Sequence, residues 1–541
     1  MILSAETALR NNTQLINELN VFPVPDGDTG TNMSLTMRSA AEELKKKSFR
    51  TVDEVASCAA NALLRGARGN SGVITSLLFR GIAKRLKGLE TAGTAEFAGA
   101  LNDGVESAYK AVMKPAEGTI LTVSRLASKA AADAANYGSD MEGLFICALK
   151  AGEAALLDTK EINPVLKKAG VVDAGGKGYM VILSAMYDAL RGIAVTPAEE
   201  NDAAEESVFE AFSTEEITFT YDTVFIIRKT EKAENLDAFR AYLETLGDCI
   251  VIGESDNAWK VHVHTDVPGE VLTESAKYGT LELCKIENMR MQHDDLVTGR
   301  NPRSTDDLDA EPSEAEGAPA APEKEYGIVT VCAGAGMEEL FRELGADSIV
   351  TGGQTMNPST QDILKAVNRT PAETVFVLPN NKNIIMAAEQ CIPLAEKNVV
   401  VIPTKTVPQG ITAMLNFDAS AEQESVISQM EESIGSVHTA MITYAARDSD
   451  FDGHIIHSGE YLALLDGSLT GNYANLKTAV SELTWSFNDL NPAIITVYYG
   501  EDVTEQEAEE MSGIISGVFP EADVSVINGG QPVYYYMISI E

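Results

Sequence analysis

Residues 1 to about 195 place apolar side chains three and four apart, segment after segment, with no β-branched runs of strand type. Thr31–Lys46, Val52–Leu64, Ile74–Lys87, Thr94–Val112, Ile120–Ala135, Met141–Asp158 and Tyr179–Ile193 each carry one apolar stripe, and alanine is abundant on them. Stripes of this kind bury only against one another, so an all-helical bundle follows. The pattern then changes twice. Residues 217–300 read β-α-β-β-α-β, with strands at Ile217–Lys229, Cys249–Gly253, Ala258–Thr265 and Thr280–Asn288. Residues 326–541 alternate strand and helix. There Gly327–Cys332, Ser348–Thr351, Thr374–Leu378 and Val399–Ile402 have the continuous apolar character of buried parallel strands.

The expected protein is therefore multidomain. An all-α domain spans 1–196, a small ferredoxin-like α+β domain 217–300 and an α/β domain 326–541. The connections are 197–216, acidic and rich in Ala, and 301–325. The second connection has four prolines and eight acidic residues, with Leu308 as its one bulky apolar residue, too little to order itself. Domains moving relative to one another are expected.

Charge narrows the function classes. With 81 acidic against 41 basic residues the net charge is -40. Such a surface repels nucleic acid and anionic membranes. It also repels a nucleotide, which would need a divalent cation and a few local Lys or Arg. No apolar run approaches a membrane span, and the first residues lack a basic, cleavable leader, so no stable membrane insertion and a cytoplasmic setting are expected. Six scattered cysteines without a Cys-x-x-Cys suit buried single thiols in a reducing compartment.

The chemistry concentrates in Asn17-Glu-Leu-Asn-Val-Phe-Pro-Val-Pro-Asp-Gly-Asp-Thr-Gly-Thr-Asn-Met33. Two prolines hold the backbone extended, two glycines let it turn, and a helix pattern opens at about Thr31. Asp26 and Asp28 stand two apart in that turn, shortly after Asn20. Carboxylates ahead of a helix N-terminus suit Mg²⁺ bound together with phosphate. The alternative is an ordinary turn and helix cap. An EF-hand does not fit, because its twelfth position is Met37.

Three glycine-rich joints lie between the helices. Arg65-Gly-Ala-Arg-Gly-Asn-Ser-Gly72 can cradle a phosphate on bare backbone and Ser71, with Arg65 and Arg68 beside it; it can also be a plain turn capped by Ser71. Lys114–Thr122 suits a Pro turn with a Thr cap. Gly170–Gly178 lacks the Lys-Ser/Thr pair of a P-loop.

Together these segments resemble the nucleotide-binding (DhaL-like) domain of the dihydroxyacetone kinase family, and in particular the ATP-binding subunit of bacterial fatty acid kinase. The resemblance implies a helical barrel with ATP and Mg²⁺ held at one end. It makes Asp26 and Asp28 magnesium ligands. Asn20 falls where dihydroxyacetone kinases carry a third Asp, so the oxygen is kept and the charge is lost. Asn70, Ser71 and Gly72 match the phosphate loop. Thr119 matches the pocket wall, and Asp173 and Gly175 match the segment near base and ribose. Arg68 is placed with the catalytic residues.

In the middle domain, His262 and His264 share one strand face, a spacing that suits Zn²⁺ or simply half-exposed strand positions. Asp222 lies on the first strand, which in this topology neighbours the third. The resemblance supports a metal site there, with Asp222 where fatty acid kinases carry Cys. His293 is a further candidate. The C-terminal domain resembles the DegV-type fatty-acid-binding fold and is expected to dock a partner. Thr355, Ser359, Asn380 and Asn381 stand near its strand ends, as turns, caps or ligand-facing residues.

The implied activity is ATP-dependent phosphorylation of a fatty acid carboxylate, presented by a separate DegV-like protein, with a homodimer allowed for. A carboxyl that titrates near ~4 needs no base, and the helical segment contains no histidine. Two alternatives stand beside it: a dihydroxyacetone-type kinase, and a non-catalytic nucleotide or lipid sensor.

Overall fold

The computed structural model describes residues 1–20, 28–112, 115–196, 219–229, 236–243, 245–254, 258–288, 319–353, 356–451 and 454–541. The chain divides into two compact units, residues 1–197 with 318–541, and residues 198–317. Asp26, Thr355, His293 and the greater part of both expected connections lie outside the described residues.

The N-terminal region is helical: α1 Ile2–Asn11, α2 Thr13–Asn17, α3 Thr29–Lys45, α4 Val52–Gly66, α5 Gly69–Leu86, α6 Thr94–Ala111, α7 Ile120–Asn136, α8 Met141–Ile162, α9 Pro164–Ala169 and α10 Ala174–Leu190. Each helix from α3 to α8 packs on the next, and α1 and α10 close back on α3. Local chemistry sets several starts. Thr51 accepts from the Glu54 amide at 3.2 Å, and Asp140 from the Gly143 amide at 2.8 Å.

Two of the glycine-rich joints differ from expectation. Gly69–Gly72 and Ala174–Gly178 are first turns of α5 and α10, not loops. Gly72 shows why: a Cβ there would stand 2.4 Å from Thr36 Oγ1. The glycine is what lets α5 lie close on α3.

The 198–317 unit holds β1 Tyr221–Lys229, α11 Leu236–Leu243, β2 Gly247–Glu254, β3 Ala258–Thr265, α12 Pro268–Ser275 and β4 Gly279–Asn288. Its sheet is antiparallel in the order β2-β3-β1-β4, so the first and third strands are neighbours. Phe225, Ile227, Trp259, Val261 and Val263 alternate along β1 and β3 to form a core with Phe239, Leu243 and Val271 of the two helices.

The C-terminal region has two sheets. The first is parallel, order β6-β5-β7-β8, from β5 Lys324–Cys332, β6 Ser348–Thr351, β7 Ala372–Leu378 and β8 Asn398–Val401. The helices α13 Ala335–Glu343, α14 Thr360–Arg369, α15 Ile385–Glu389, α16 Val407–Leu415 and α17 Gln423–Gly435 accompany it. The second sheet, order β13-β12-β9-β16-β14-β15, is antiparallel except for the β14–β15 pair. It is built from β9 His438–Tyr444, β12 Tyr461–Leu465, β13 Ser468–Tyr473, β14 Ile494–Tyr499, β15 Asp523–Asn528 and β16 Tyr536–Ile540, while β10 Ser449–Phe451 and β11 His454–Ile456 form a separate hairpin.

The parallel sheet is buried on both faces, which is why its strands are apolar throughout. Ile328, Cys332, Phe376 and Leu378 pack with α13, α16 and α17. Val329, Val331, Val375 and Val377, with Ile363 and Val367 of α14, join the same core as Leu63, Leu77 and Leu78 of the helical region. The first and third regions thus share one apolar core, so the expected relative motion does not extend to that pair. The end of the second expected connection is itself tied down, with the Ala320 amide donating to Asn368 O at 2.8 Å. Cys332 and Cys391 are buried as expected; Cys147, on α8, and Cys284, on the edge strand β4, are exposed.

Candidate functional site

Where the helical region meets the parallel sheet, a cleft of about 960 Å³ opens. The structure brings Asn20, Asp28, Asn70, Ser71, Thr119, Asp173 and Gly175 to it, although they are scattered along the first 175 residues. First turns of four helices line it: Thr29 of α3, Asn70 and Ser71 of α5, Ile120 of α7, and Ala174 and Gly175 of α10. Thr406 and Val407 add the start of α16 from the other side. Each helix start presents unsatisfied N–H groups and about half a positive charge. Their convergence suits an anion, in a chain whose net charge otherwise repels one.

The start of α3 separates the two readings of Asp28. Asp28 occupies the cap position but makes no capping hydrogen bond with its side chain. Asn17 does that work. Its Oδ1 accepts from the Gly30 amide at 2.7 Å and the Thr31 amide at 3.2 Å, while its Nδ2 donates to Thr31 Oγ1 at 3.0 Å. The Asp28 carboxylate instead accepts from Asn357 Nδ2 of the C-terminal region. Asn20 is braced from both regions: its Oδ1 accepts from Thr29 Oγ1 at 2.7 Å, its Nδ2 donates to Asn17 O at 3.0 Å, and its own carbonyl accepts from Arg447 of the C-terminal region.

At the start of α5 the cap position is Arg68, not Ser71, and it makes no side-chain capping bond. Gly69 takes φ +56, the turn that launches the helix. Asn70 Nδ2 approaches Asn383 Oδ1 at 3.4 Å. Its Oδ1 is shut from solvent without a hydrogen-bond partner among the described residues, and so invites a donor or cation. Thr119 does cap α7, accepting from the Leu121 amide at 3.4 Å and donating to Ala116 O at 2.7 Å. Asp173 caps α10, accepting from the Gly176 amide at 2.6 Å. Burial pushes its carboxyl up to about 6, against the amides of Gly176 and Ile120.

Arg65, Arg68 and Gly72 are not among the cleft-lining residues. Arg65 is exposed in the last turn of α4. Arg68 is drawn into the C-terminal region: its Nη1 donates to Asn357 O at 2.7 Å and its Nη2 lies 3.5 Å from Asp362 Oδ2. Among the described residues, Lys382 and Lys405 of the C-terminal region line the cleft, both exposed and neither with an ion pair. Nothing in their local sequence distinguishes them from other surface lysines; only the docking of the two regions does. His438 and Asp466 line it as well, with His438 Nδ1 2.7 Å from Asp466 Oδ2. Of the strand-end residues, Asn380 and Asn381 line the cleft, whereas Ser359 caps α14, accepting from the Asp362 amide at 3.1 Å.

Acceptors at Asp28 and Asn70, set among helix N-termini, fit a hard cation that itself carries phosphate. Among the described residues no group of three or more His, Cys, Asp or Glu is gathered for a metal, and Asp26 is not described. In the 198–317 unit, β1–β3 register pairs Asp222 with His264 and Val224 with His262. His264 is half-buried; the side chains of Asp222 and His262 lie outside what is described.

Among the described residues no helix is long and apolar enough to cross a membrane. The DAK2 domain family matches residues 23–188. The FakA-like middle and C-terminal domains, named for fatty acid kinase, match residues 218–296 and 327–541. The chain is 40% identical over 551 residues to Protein YloV of Bacillus subtilis (strain 168), covering 100% of this chain and 98% of that one. It is 38% identical over 549 residues to an uncharacterized protein of Staphylococcus aureus (strain USA300), again covering 100% and 98%. Among solved structures, a DegV family protein from Corynebacterium glutamicum is similar with TM-score 0.32 and 10% identity, over 40% of this chain and 96% of that one. With a DAK2 domain followed by both of its characteristic domains, the chain belongs to the FakA-like family of fatty acid kinase proteins.

Proposed function

We propose that the chain is the ATP-binding, catalytic subunit of a fatty acid kinase. It transfers the γ-phosphoryl group of ATP to the carboxylate of a fatty acid presented by a separate, DegV-like fatty-acid-binding protein, leaving acyl phosphate and ADP. The working parts are a helical barrel at 1–196, a ferredoxin-like domain at 217–300 and a DegV-like domain at 326–541, in a cytoplasmic protein. The observation that carries the reading is the meeting of four helix N-termini with Asp28 in one cleft.

Phosphoryl transfer is mostly positioning and charge neutralisation. The first turns of α5, α7 and α10 would hold the phosphates on backbone N–H groups. Asn20, Asp26 and Asp28 would hold Mg²⁺, which when bound supplies the positive charge that lets a carboxylate approach a triphosphate. Asp173 and Gly175 would face the ribose or base. The acceptor is already ionised at neutral pH, so no residue need remove a proton.

One observation favours a second acceptor class. His438, oriented by Asp466 in the same cleft, has the arrangement of a general base, which a hydroxyl acceptor such as dihydroxyacetone would need. A single assay decides between them: ATP consumption with oleate or palmitate, with and without a DegV-like carrier, and with dihydroxyacetone. Turnover is expected only with fatty acid and carrier, and it should vanish in Asp26→Ala and Asp28→Ala while the fold survives. Normal activity in the double variant would overturn the magnesium assignment; turnover of free dihydroxyacetone would establish the second acceptor.

A further inference from the structure

We propose that Asn357, from the C-terminal α/β region, is a positioning residue for Asp28, so that the metal–nucleotide site is completed by both ends of the chain. This rests on the function proposed above.

Asn357 is 3% exposed and is held at both of its ends. Its carbonyl accepts from Arg68 Nη1 at 2.7 Å. Its Nδ2 donates to Asp28 Oδ2 and lies 3.5 Å from Asn32 Oδ1. The neighbouring backbone is fixed as well. Arg68 and Ser359 form an antiparallel bridge, and the Thr360 amide donates to Ala67 O at 3.1 Å. A Cβ on Gly69 would stand 2.4 Å from Asn32 Nδ2 and 3.4 Å from Asn357 Nδ2, so the glycine leaves the room in which these amides meet.

The contact falls on Asp28, whose side chain does not cap α3 because Asn17 does. A carboxylate offers about four acceptor positions, so one side chain can take an amide donor and also face a cation. An outer donor that fixes a ligating carboxylate typically changes metal affinity by about 10–100-fold. Asn357 stands in that relation to Asp28, from a position 329 residues away.

The competing account is that Asn357 only ties the two regions together. Binding of ADP to the full-length chain, titrated with Mg²⁺, separates them. For Asn357→Ala we expect the Mg²⁺ concentration at half-saturation to rise about 10–100-fold, with nucleotide binding in EDTA unchanged. Asn357→Leu, similar in shape but without the donor, should raise it as far; it decides the matter if the alanine variant does not fold. Asp362→Ala removes the tie to Arg68 and the side-chain half of the α14 capping box, in which Asp362 Oδ2 accepts from the Ser359 amide at 2.8 Å, without touching Asp28. It should lower the unfolding temperature and leave the Mg²⁺ midpoint where it was. An unchanged midpoint in both Asn357 variants, or an equal rise in Asp362→Ala, sinks the proposal. A wild-type chain that binds no ADP even with saturating Mg²⁺ instead refutes the kinase function itself.

Discussion

Asp173 carries two duties that pull on its proton in opposite directions. As the α10 cap it accepts from the Gly176 amide, which favours the charged form; its burial favours the neutral form and wins, leaving its carboxyl at about 6 against an ordinary 3.8. The folded chain therefore holds this proton more tightly than the unfolded chain. The associated stability is fully present below about pH 4 and is lost as pH rises through about 6. Asp173→Asn keeps a capping oxygen but does not titrate. Relative to wild type it should gain stability between pH 4 and pH 7, measured as denaturation midpoints without nucleotide; a gap that does not change with pH would contradict the shifted carboxyl. Residues like this one were legible in the sequence, because Asp28, Ser71 and Asp173 lie in short segments of unusual wording. Asn17 and Asn357 were not. Their partners stand 13 and 329 residues away, and no local spacing encodes such contacts.

At the level of elements, glycine was the misleading signal. It costs a helix about 1 kcal/mol relative to alanine, so a glycine-rich run reads as a break. In α5 that cost is outweighed by close approach to α3. Thr36 cannot yield there, because its hydroxyl donates to Asn32 O at 2.6 Å and accepts from the Arg68 amide at 3.2 Å. Gly72→Ala should therefore destabilise the protein by about 1–3 kcal/mol, despite alanine's better helix propensity. Adding Thr36→Ala should recover part of the loss, as read by thermal or urea unfolding; an unaltered single variant would show that the helices separate more easily than the contact suggests. The β-strands were easier to read. Period-two alternation in the middle unit and continuous apolar runs in the parallel sheet are local patterns, and their order survived into the structure. Ile455–Leu465 reads as one strand, yet the turn around Gly459, with φ +85, ends β11 before β12 begins.

Across the whole molecule, composition marks a segment with little apolar surface to bury but not what docks beyond it. The stretch 301–325 reads as a spacer, yet the parallel sheet that follows shares its core with the helical region. That docking brings Lys382 and Lys405 to the cleft, where they set two positive charges against a net charge of -40. An exposed charge pair contributes about 0.2–1 kcal/mol. Replacing both lysines with glutamine should thus weaken nucleotide binding about 2- to 30-fold and flatten its dependence on salt. Titrations at low and moderate ionic strength check both effects. Loss of affinity that is independent of salt would argue for a steric cause.

The shared core also has a consequence for biosynthesis. The bundle leaves the ribosome first, while the face that receives Ile363 and Val367 waits for residues not yet made. At about 5–20 residues per second, the 329 residues between Asp28 and Asn357 take roughly 15–65 s. For that time the helical region lacks its partners in the shared core, and a partly translated copy has no Asn357 with which to set Asp28.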